Sequence, residues 1–371
     1  MKNKLNRRSC IYQFGIGALA STTTRYCVAD ERPPFTLLPS EYARSESSLQ
    51  SPLVFDDGRA VTTKDEWPER REEILSHWHR VMGAWPPLVE HPEVELLETT
   101  MRGEVAQRRI RLQIAPHQSC IAFLLIPPGD GPHPAVVVPF YDPETSIGLG
   151  KNPYRDFAWQ LAQRGFVSLS IGSPGGDARK PELDKVAKCQ PLSYLGYIAA
   201  NAWHALADME MVDRKKIGIV GHSYGGKWAM FGSCLWDKYA CGVWSDPGIV
   251  FDETRTSINY QEPWYLGLDP TTTRKPGLVS PDNPRSGAYK LLMETGHNLH
   301  ELHALMAPRP FLVSGGAEDP PRRWTVLKHA IEVNQLLGFE DRVAMTNREE
   351  HSPNEESNRQ VYEFFEYWLK R

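Results

Sequence analysis

The chain has 371 residues with 42 basic and 46 acidic side chains, a formal charge of −4, and enough length for one large α/β domain or two smaller ones. Its composition, 41% hydrophobic and 24% charged, is that of an ordinary globular protein, and no apolar run reaches the length of a membrane span. Thirty prolines and eleven tryptophans point to a loop-rich chain with aromatic-lined surfaces.

Met1–Ala29 contains Lys2, Lys4, Arg7, Arg8 and Arg25 and no acidic residue, with a short apolar stretch over Ile11–Ala20. This reads as a removable export signal, and Arg7-Arg8 resembles a twin-arginine signal. Small residues place cleavage after Ala20 or after Ala29, so the expected location is periplasmic or secreted. Loss of the five basic residues by the second cut deepens the formal charge to −9, which argues against a nucleic-acid partner. Cys10 and Cys27 would leave with the signal. Cys120, Cys189, Cys234 and Cys241 lack any C-x-x-C spacing, which speaks against zinc and leaves their pairing open.

Residues 30–90 form an N-terminal extension. Its first half, to residue 63, is rich in Pro, Ser and acids and reads as an extended arm. Lys64–Met82 has helical spacing, with Trp67, Ile74, Leu75, Trp78 and Val81 on one side, and Pro86-Pro87 stop it. Glu93–Thr100, Ala106–Ile114 and Cys120–Ile126 read as an antiparallel meander. From Pro134 strands alternate with helices. Strands are expected at Ala135–Phe140, Phe166–Ile171, Lys216–Val220, Tyr239–Trp244, Arg309–Ser314 and Arg342–Thr346. Helices are expected at Tyr154–Arg164, Pro191–Met211, Lys227–Trp236 and Val361–Leu369. This alternation implies right-handed crossovers and a mainly parallel central sheet flanked by helices. The stretch 247–306 is rich in Pro, Trp and Tyr and poor in strand signals, and reads as an insert or lid.

The stretch Lys216–Lys227 carries chemistry. A β-branched run ends in Gly221-His222-Ser223-Tyr224-Gly225 and a helical pattern follows. Glycines two before and two after a serine, between strand and helix, allow a turn tight enough to raise the hydroxyl above the sheet edge. A serine hydroxyl needs a base, and chain order on such a sheet is nucleophile, acid, histidine. His351, after the last strand and before the last helix, is the expected base. Asp319, after Arg309–Ser314, is the expected acid, with Glu318 and, at the end of the earlier strand, Asp246 as alternatives. The amides of Tyr224 and of Tyr141 or Phe140 are placed to form an oxyanion hole. His222 sits inside the elbow and points away from the nucleophile. His297, His300 and His303 drift around their helix and do not read as a metal site. Trp244, Tyr260, Trp264 and Tyr265 form an aromatic cluster that either stacks on sugar rings or packs the lid.

With these elements in place, residues 91–371 resemble an α/β-hydrolase with an N-terminal extension and an insert after the sixth strand. Within that superfamily the chain resembles exported serine esterases of the glucuronoyl-esterase and acetyl-xylan-esterase groups. The resemblance rests on Gly221–Lys227, on Met211-Val212-Asp213 and on His303–Pro310. It implies a carboxylic ester hydrolase that uses no cofactor and acts on an acetyl or uronic acid ester of a small molecule or polysaccharide. It assigns Lys227 a part in holding the uronic acid. Trp264 joins Lys227 as a substrate-binding candidate. Glucuronoyl esterases commonly carry Arg after the serine, where this chain has Tyr224, and their acid also comes from the earlier strand. A peptidase or lactone hydrolase on the same scaffold is the alternative, and a non-catalytic sugar-binding protein is a second.

Overall fold

The computed structural model describes residues 9–11, 26–28, 38–44 and 47–371. The export-signal reading of residues 1–29 lies outside the described residues, apart from two short strands, β1 (Ser9–Ile11) and β2 (Tyr26–Val28), paired antiparallel. Among the described residues no helix is long and apolar enough to cross a membrane.

After a short helix α1 (Ser40–Ala43), the described part of the segment read as an extended arm buries Phe55 and Val61 around a bridge from Val54 to Ala60. Helix α2 (Trp67–Met82) buries Trp67, Ile74, Trp78 and Met82 along one face. It ends at Gly83, four residues before Pro87, because only glycine accepts its φ of 88° and a Cβ there would meet the Lys188 carbonyl at 2.6 Å.

The meander is β3 (Val94–Arg102), β4 (Val105–Ala115) and β5 (Gln118–Ile126). The alternating part follows in the expected order: β6 (His133–Pro139), α3 (Pro143–Ser146), α4 (Phe157–Gln163), β7 (Val167–Ile171), α5 (Pro191–Ala207), β8 (Val212–His222), α6 (Tyr224–Leu235) and β9 (Cys241–Ser245). The 247–306 segment holds α7 (Gly287–Glu294) and α8 (His300–Ala304). Strand β10 (Phe311–Gly315), α9 (Trp324–Leu336), β11 (Val343–Asn347) and α10 (Glu355–Leu369) complete the chain. One nine-stranded sheet runs β11-β10-β9-β8-β6-β7-β5-β4-β3. Its first six strands are parallel and its last three antiparallel.

The apolar runs explain the layering. In β6, Ala135 and Val137 join one core with α2, α5, α6, α8 and α9, while Val136 and Val138 join the other with α4 and α10. A period of two with both phases apolar is what a strand buried on both faces requires. The 247–306 segment is not a loose lid, since Ile249, Phe251, Ile258, Tyr260, Tyr265, Leu266 and Tyr289 are buried in the first core. Trp244, read with its aromatics, instead stacks on Phe311 at 4.5 Å and lies beside His303.

Several boundaries shift for local reasons. Helix α4 begins after Tyr154 because that residue takes the left-handed φ of 63°. Helix α10 begins at Glu355, earlier than periodicity suggested, because Asn354 and Ser357 form a reciprocal capping box. Helix α9 was not anticipated, although Trp324, Leu327, Ala330 and Val333 are spaced for one buried face.

Cys120, Cys189, Cys234 and Cys241 are free thiols, and burial raises the pKa of each.

Buried neutral histidines give the core an acid sensitivity. His329 is pushed down to about 4 by burial and then by the charge of His300, and His303 is held well below its ordinary value by burial. An unfolded histidine takes up its proton near 6.5, so below that value the unfolded chain binds more protons than the fold. The stability these residues contribute is therefore complete above 6.5 and lost as pH falls. Asp319, raised to about 6, acts in the opposite sense and offsets part of the loss. At pH 5 His329 costs about 2 kcal/mol. The urea midpoint is expected to fall steadily from pH 7 to pH 5 and to fall less in a His329→Gln variant. A flat profile would exclude this account.

Candidate active site

Strand β8 delivers Ser223 at the carboxyl edge of the sheet. Ser223 takes φ 56° and ψ −114°, a conformation L residues rarely adopt, and its amide donates to Ser245 O at 2.8 Å on the end of β9. The flanking glycines are obligatory. A Cβ on Gly221 would lie 2.1 Å from the Gly225 carbonyl oxygen, and one on Gly225 would lie 2.1 Å from that of Pro139. Helix α6 starts at Tyr224, immediately after Ser223, so the helix begins three residues before the sequence pattern suggested. Its first amide to bond within the helix is that of Lys227, to Ser223 O at 3.0 Å, which leaves the Tyr224 amide among the free donors at the helix N-terminus.

His351 follows β11 and reaches back to the elbow. Its Nε2 lies 2.9 Å from Ser223 Oγ and its Nδ1 lies 2.7 Å from Asp246 Oδ2. Asp246 is fully buried, also at positive φ (51°), and accepts the amides of Asp319 at 2.8 Å and Glu318 at 3.2 Å. Three N–H donors thus converge on one carboxylate that has no access to water.

This corrects the expected acid. Asp319 does not face His351. The Gly315-Gly316 turn brings its backbone amide onto Asp246 and turns its carboxylate to the amides of Gly248 and Ile249, at 2.8 and 2.7 Å. Asp319 ties the start of the 247–306 segment to β10, and burial beside Asp246 raises it to about 6. Glu318, the other alternative, accepts from Ser257 Oγ at 2.6 Å and Arg255 Nε at 3.4 Å, away from the histidine.

Two further expectations change. The Phe140 amide donates to Ile171 O at 3.0 Å and is not free to hold an oxyanion, whereas Tyr141, next in the chain, has no such bond among the described residues. Tyr141 is 42% exposed and its ring lies 4.9 Å from that of Tyr224. Tyr224 itself is buried, its hydroxyl 3.0 Å from Ser173 Oγ. Lys227 is 5% exposed, donates from Nζ to Pro247 O at 2.5 Å and lies over the rings of Tyr260 and Tyr265. Burial brings it down to about 8, against the pull of Asp319, Glu318 and Asp246. Its ammonium is held by these protein groups and is not presented to solvent. Trp264 is half-buried beside Tyr265.

His222 underlies the base, its ring 4.7 Å from that of His351, and its Nδ1 is 3.2 Å from the carbonyl and hydroxyl oxygens of Ser245. Burial, then the charges of His351, Arg348 and Arg155, keeps it neutral, well below the ordinary histidine range. His297, His300 and His303 do not converge: they meet Glu301 (2.8 Å), the Gln50 carbonyl (2.7 Å) and the ring of Trp244, respectively. Among the described residues no group of three or more His, Cys, Asp or Glu side chains is arranged to hold a metal.

Sequence reasoning missed Arg348. Its guanidinium donates to Ser352 O (2.8 Å), His351 O (2.6 Å), Ser314 O (2.9 Å), Gly315 O (3.2 Å) and the hydroxyls of Ser314 and Ser245. One planar fork thereby ties the His351 loop to the ends of β9 and β10, which a flexible ammonium cannot reproduce. The only sequence signal was a basic residue three before the histidine. Arg348→Met and Arg348→Lys are each expected to lower kcat by roughly 10- to 100-fold with a smaller change in KM, since a misplaced base loses alignment rather than binding. Steady-state kinetics on 4-nitrophenyl acetate checks this.

Known proteins share this fold. Among solved structures, a glucuronoyl esterase from Solibacter usitatus superposes with a TM-score of 0.67 at 16% identity, covering 88% of this chain and 99% of that one. A carbohydrate esterase family 15 glucuronoyl esterase from Caldicellulosiruptor kristjansonii gives 0.60 at 19% identity, covering 89% and 93%. A putative acetyl xylan esterase from Bacteroides fragilis gives 0.55 at 14%, covering 83% and 80%. At such identities the likeness is one of fold, the α/β-hydrolase fold. No curated protein sequence matches the chain significantly. Residues 156–371, more than half the chain, match the model of the prolyl oligopeptidase family (Peptidase_S9), and the chain belongs to that family.

Proposed function

We propose that the protein is a serine esterase that cleaves an acetyl or uronic acid ester on a carbohydrate, with Ser223, His351 and Asp246 as nucleophile, base and orienting acid. The observation that carries this reading is the continuous relay from Ser223 Oγ through both ring nitrogens of His351 to the buried Asp246, at 2.9 and 2.7 Å. The fold shared with carbohydrate esterases supports the substrate class.

Ser223 Oγ attacks the ester carbonyl as His351 Nε2 takes its proton, and Asp246 stabilises the imidazolium through Nδ1–H. The charge that develops on the carbonyl oxygen is held by the amides of Tyr224 and Tyr141, the first supported by the N-terminus of α6. Collapse expels the alcohol, which receives the proton from Nε2. Water, deprotonated by the same nitrogen, then releases the acid and restores Ser223. With Lys227 committed to Pro247 O, recognition of the sugar falls to groups at the rim, among them Trp264 and Tyr141. The protein acts after export, as its basic, acid-free N-terminus suggests.

A peptidase is the second reading, favoured by membership of the prolyl oligopeptidase family. A panel of acetylated xylan, glucuronate methyl ester and aminoacyl anilides tests both. The esterase reading expects turnover of at least one of the first two and little of the anilides. The reverse order would establish the peptidase.

A further inference from the structure

We infer that Arg155 makes the site selective for esters whose alcohol portion carries a free carboxylate, in chemical terms an O-acylated acidic saccharide; this rests on the esterase reading above. Arg155 lies between α3 and α4, and its Nη2 donates to Ser352 Oγ at 3.2 Å, one residue beyond His351. Ser352 is exposed and the His351 ring 37% exposed, so this corner of the site opens to solvent.

The two arginines at the histidine loop differ in how they are used. Arg348 directs its nitrogens at six protein oxygens. Arg155 is half-buried, has one hydrogen bond and no carboxylate within ion-pair distance among the described residues, and its Nε is buried without a partner. The neighbouring Asp156 does not pair with it and instead accepts from Gln160 Nε2 at 2.8 Å. A partly desolvated guanidinium with donors to spare beside a catalytic opening is a ready-made carboxylate receptor, because its planar fork matches two carboxylate oxygens.

The loop is also set in advance. Tyr154, immediately before Arg155, holds a left-handed φ of 63°, and Asn358 of α10 donates to its carbonyl at 2.8 Å. Arg155 therefore meets a ligand without first ordering its backbone.

The position identifies the part of the substrate. His351 Nε2 hands its proton to the leaving alcohol, and Arg155 stands on the histidine side of the site. The carboxylate it accepts thus belongs to the alcohol component, a sugar acid bearing the acyl group on a hydroxyl, and not to the acyl group.

The test compares hydrolysis of 4-nitrophenyl acetate and 3-carboxy-4-nitrophenyl acetate by wild type, Arg155→Met and Arg155→Lys. The readout is the ratio of kcat/KM values, from which any general loss of activity cancels. The wild type is expected to favour the carboxylated ester by roughly three- to tenfold at low salt, with the ratio shrinking as salt is added. Arg155→Met is expected to bring the ratio to one or below, and Arg155→Lys to keep part of it. Equal ratios in wild type and Arg155→Met would overturn the inference and leave Arg155 as a mere pin for Ser352. Failure of the esterase reading looks different: neither ester is turned over by the wild type faster than by Ser223→Ala.

Discussion

Replacing Ser223 with alanine lowers kcat for a carbohydrate ester or for 4-nitrophenyl acetate by on the order of 10⁴-fold or more, while the thermal midpoint barely moves. The size is that expected for removing the proposed nucleophile, after which only binding and the oxyanion donors would assist attack by water. The small structural effect follows from the elbow's construction. Its shape depends on the Ser223 amide bonded to Ser245 O and on Gly221 and Gly225, not on the hydroxyl. Kinetics together with a melting curve separates the two effects. A variant that retained wild-type turnover would remove Ser223 from the chemistry.

The second large effect distinguishes the two aspartates. Asp246→Asn is expected to lower kcat by roughly 10³- to 10⁴-fold, because the amide no longer fixes the histidine tautomer or balances its charge. Asp319→Asn is expected to lower kcat by less than tenfold and to act on stability instead. The Asp319 carboxylate accepts the amides of Gly248 and Ile249, and an asparagine there turns an NH2 toward one of them. An unsatisfied buried donor costs about 1–3 kcal/mol, which lowers the melting temperature. Measured side by side, the pair assigns the acid, and the reverse ranking would return the role to Asp319.

The reason the sequence favoured Asp319 is instructive. Strand order and the Gly315-Gly316 turn placed a carboxylate at the correct sheet edge, and chain order alone allows an acid after either β9 or β10. The choice is made by backbone direction. Asp246, at positive φ immediately after β9, projects toward the histidine, whereas Asp319 lies four residues beyond β10, after the chain has turned back. No periodicity or propensity encodes that difference. That Ser223 and His351 come together was legible because each is tied to a local pattern: small residues around Ser223, and a lone late histidine between a strand and a helix. The parallel sheet was legible from continuous apolar runs, whose two phases fill two separate cores.

What escaped notice depended on contacts distant in sequence. Arg348 draws its meaning from Ser245 and Ser314, 103 and 34 residues away. Lys227 matched a uronate-binding pattern by position, but burial under Tyr260 and Tyr265 spends its ammonium on Pro247. Helix α9 has a legible buried face in Trp324, Leu327, Ala330 and Val333. The 247–306 segment lacked a dominant period because its residues fill an irregular space between α2, α6 and the end of β9, and composition alone does not distinguish a packed insert from a mobile lid.

Ester cleavage through a covalent bond to Ser223, formed with His351 as base, is tested most directly by labelling with a serine-directed phosphonate ester, followed by peptide mass mapping and residual turnover on the same sample. A single adduct on Ser223, loss of turnover in proportion to labelling, and slower labelling of His351→Ala are expected. An adduct on another serine with turnover lost, or full occupancy of Ser223 with turnover intact, would contradict it.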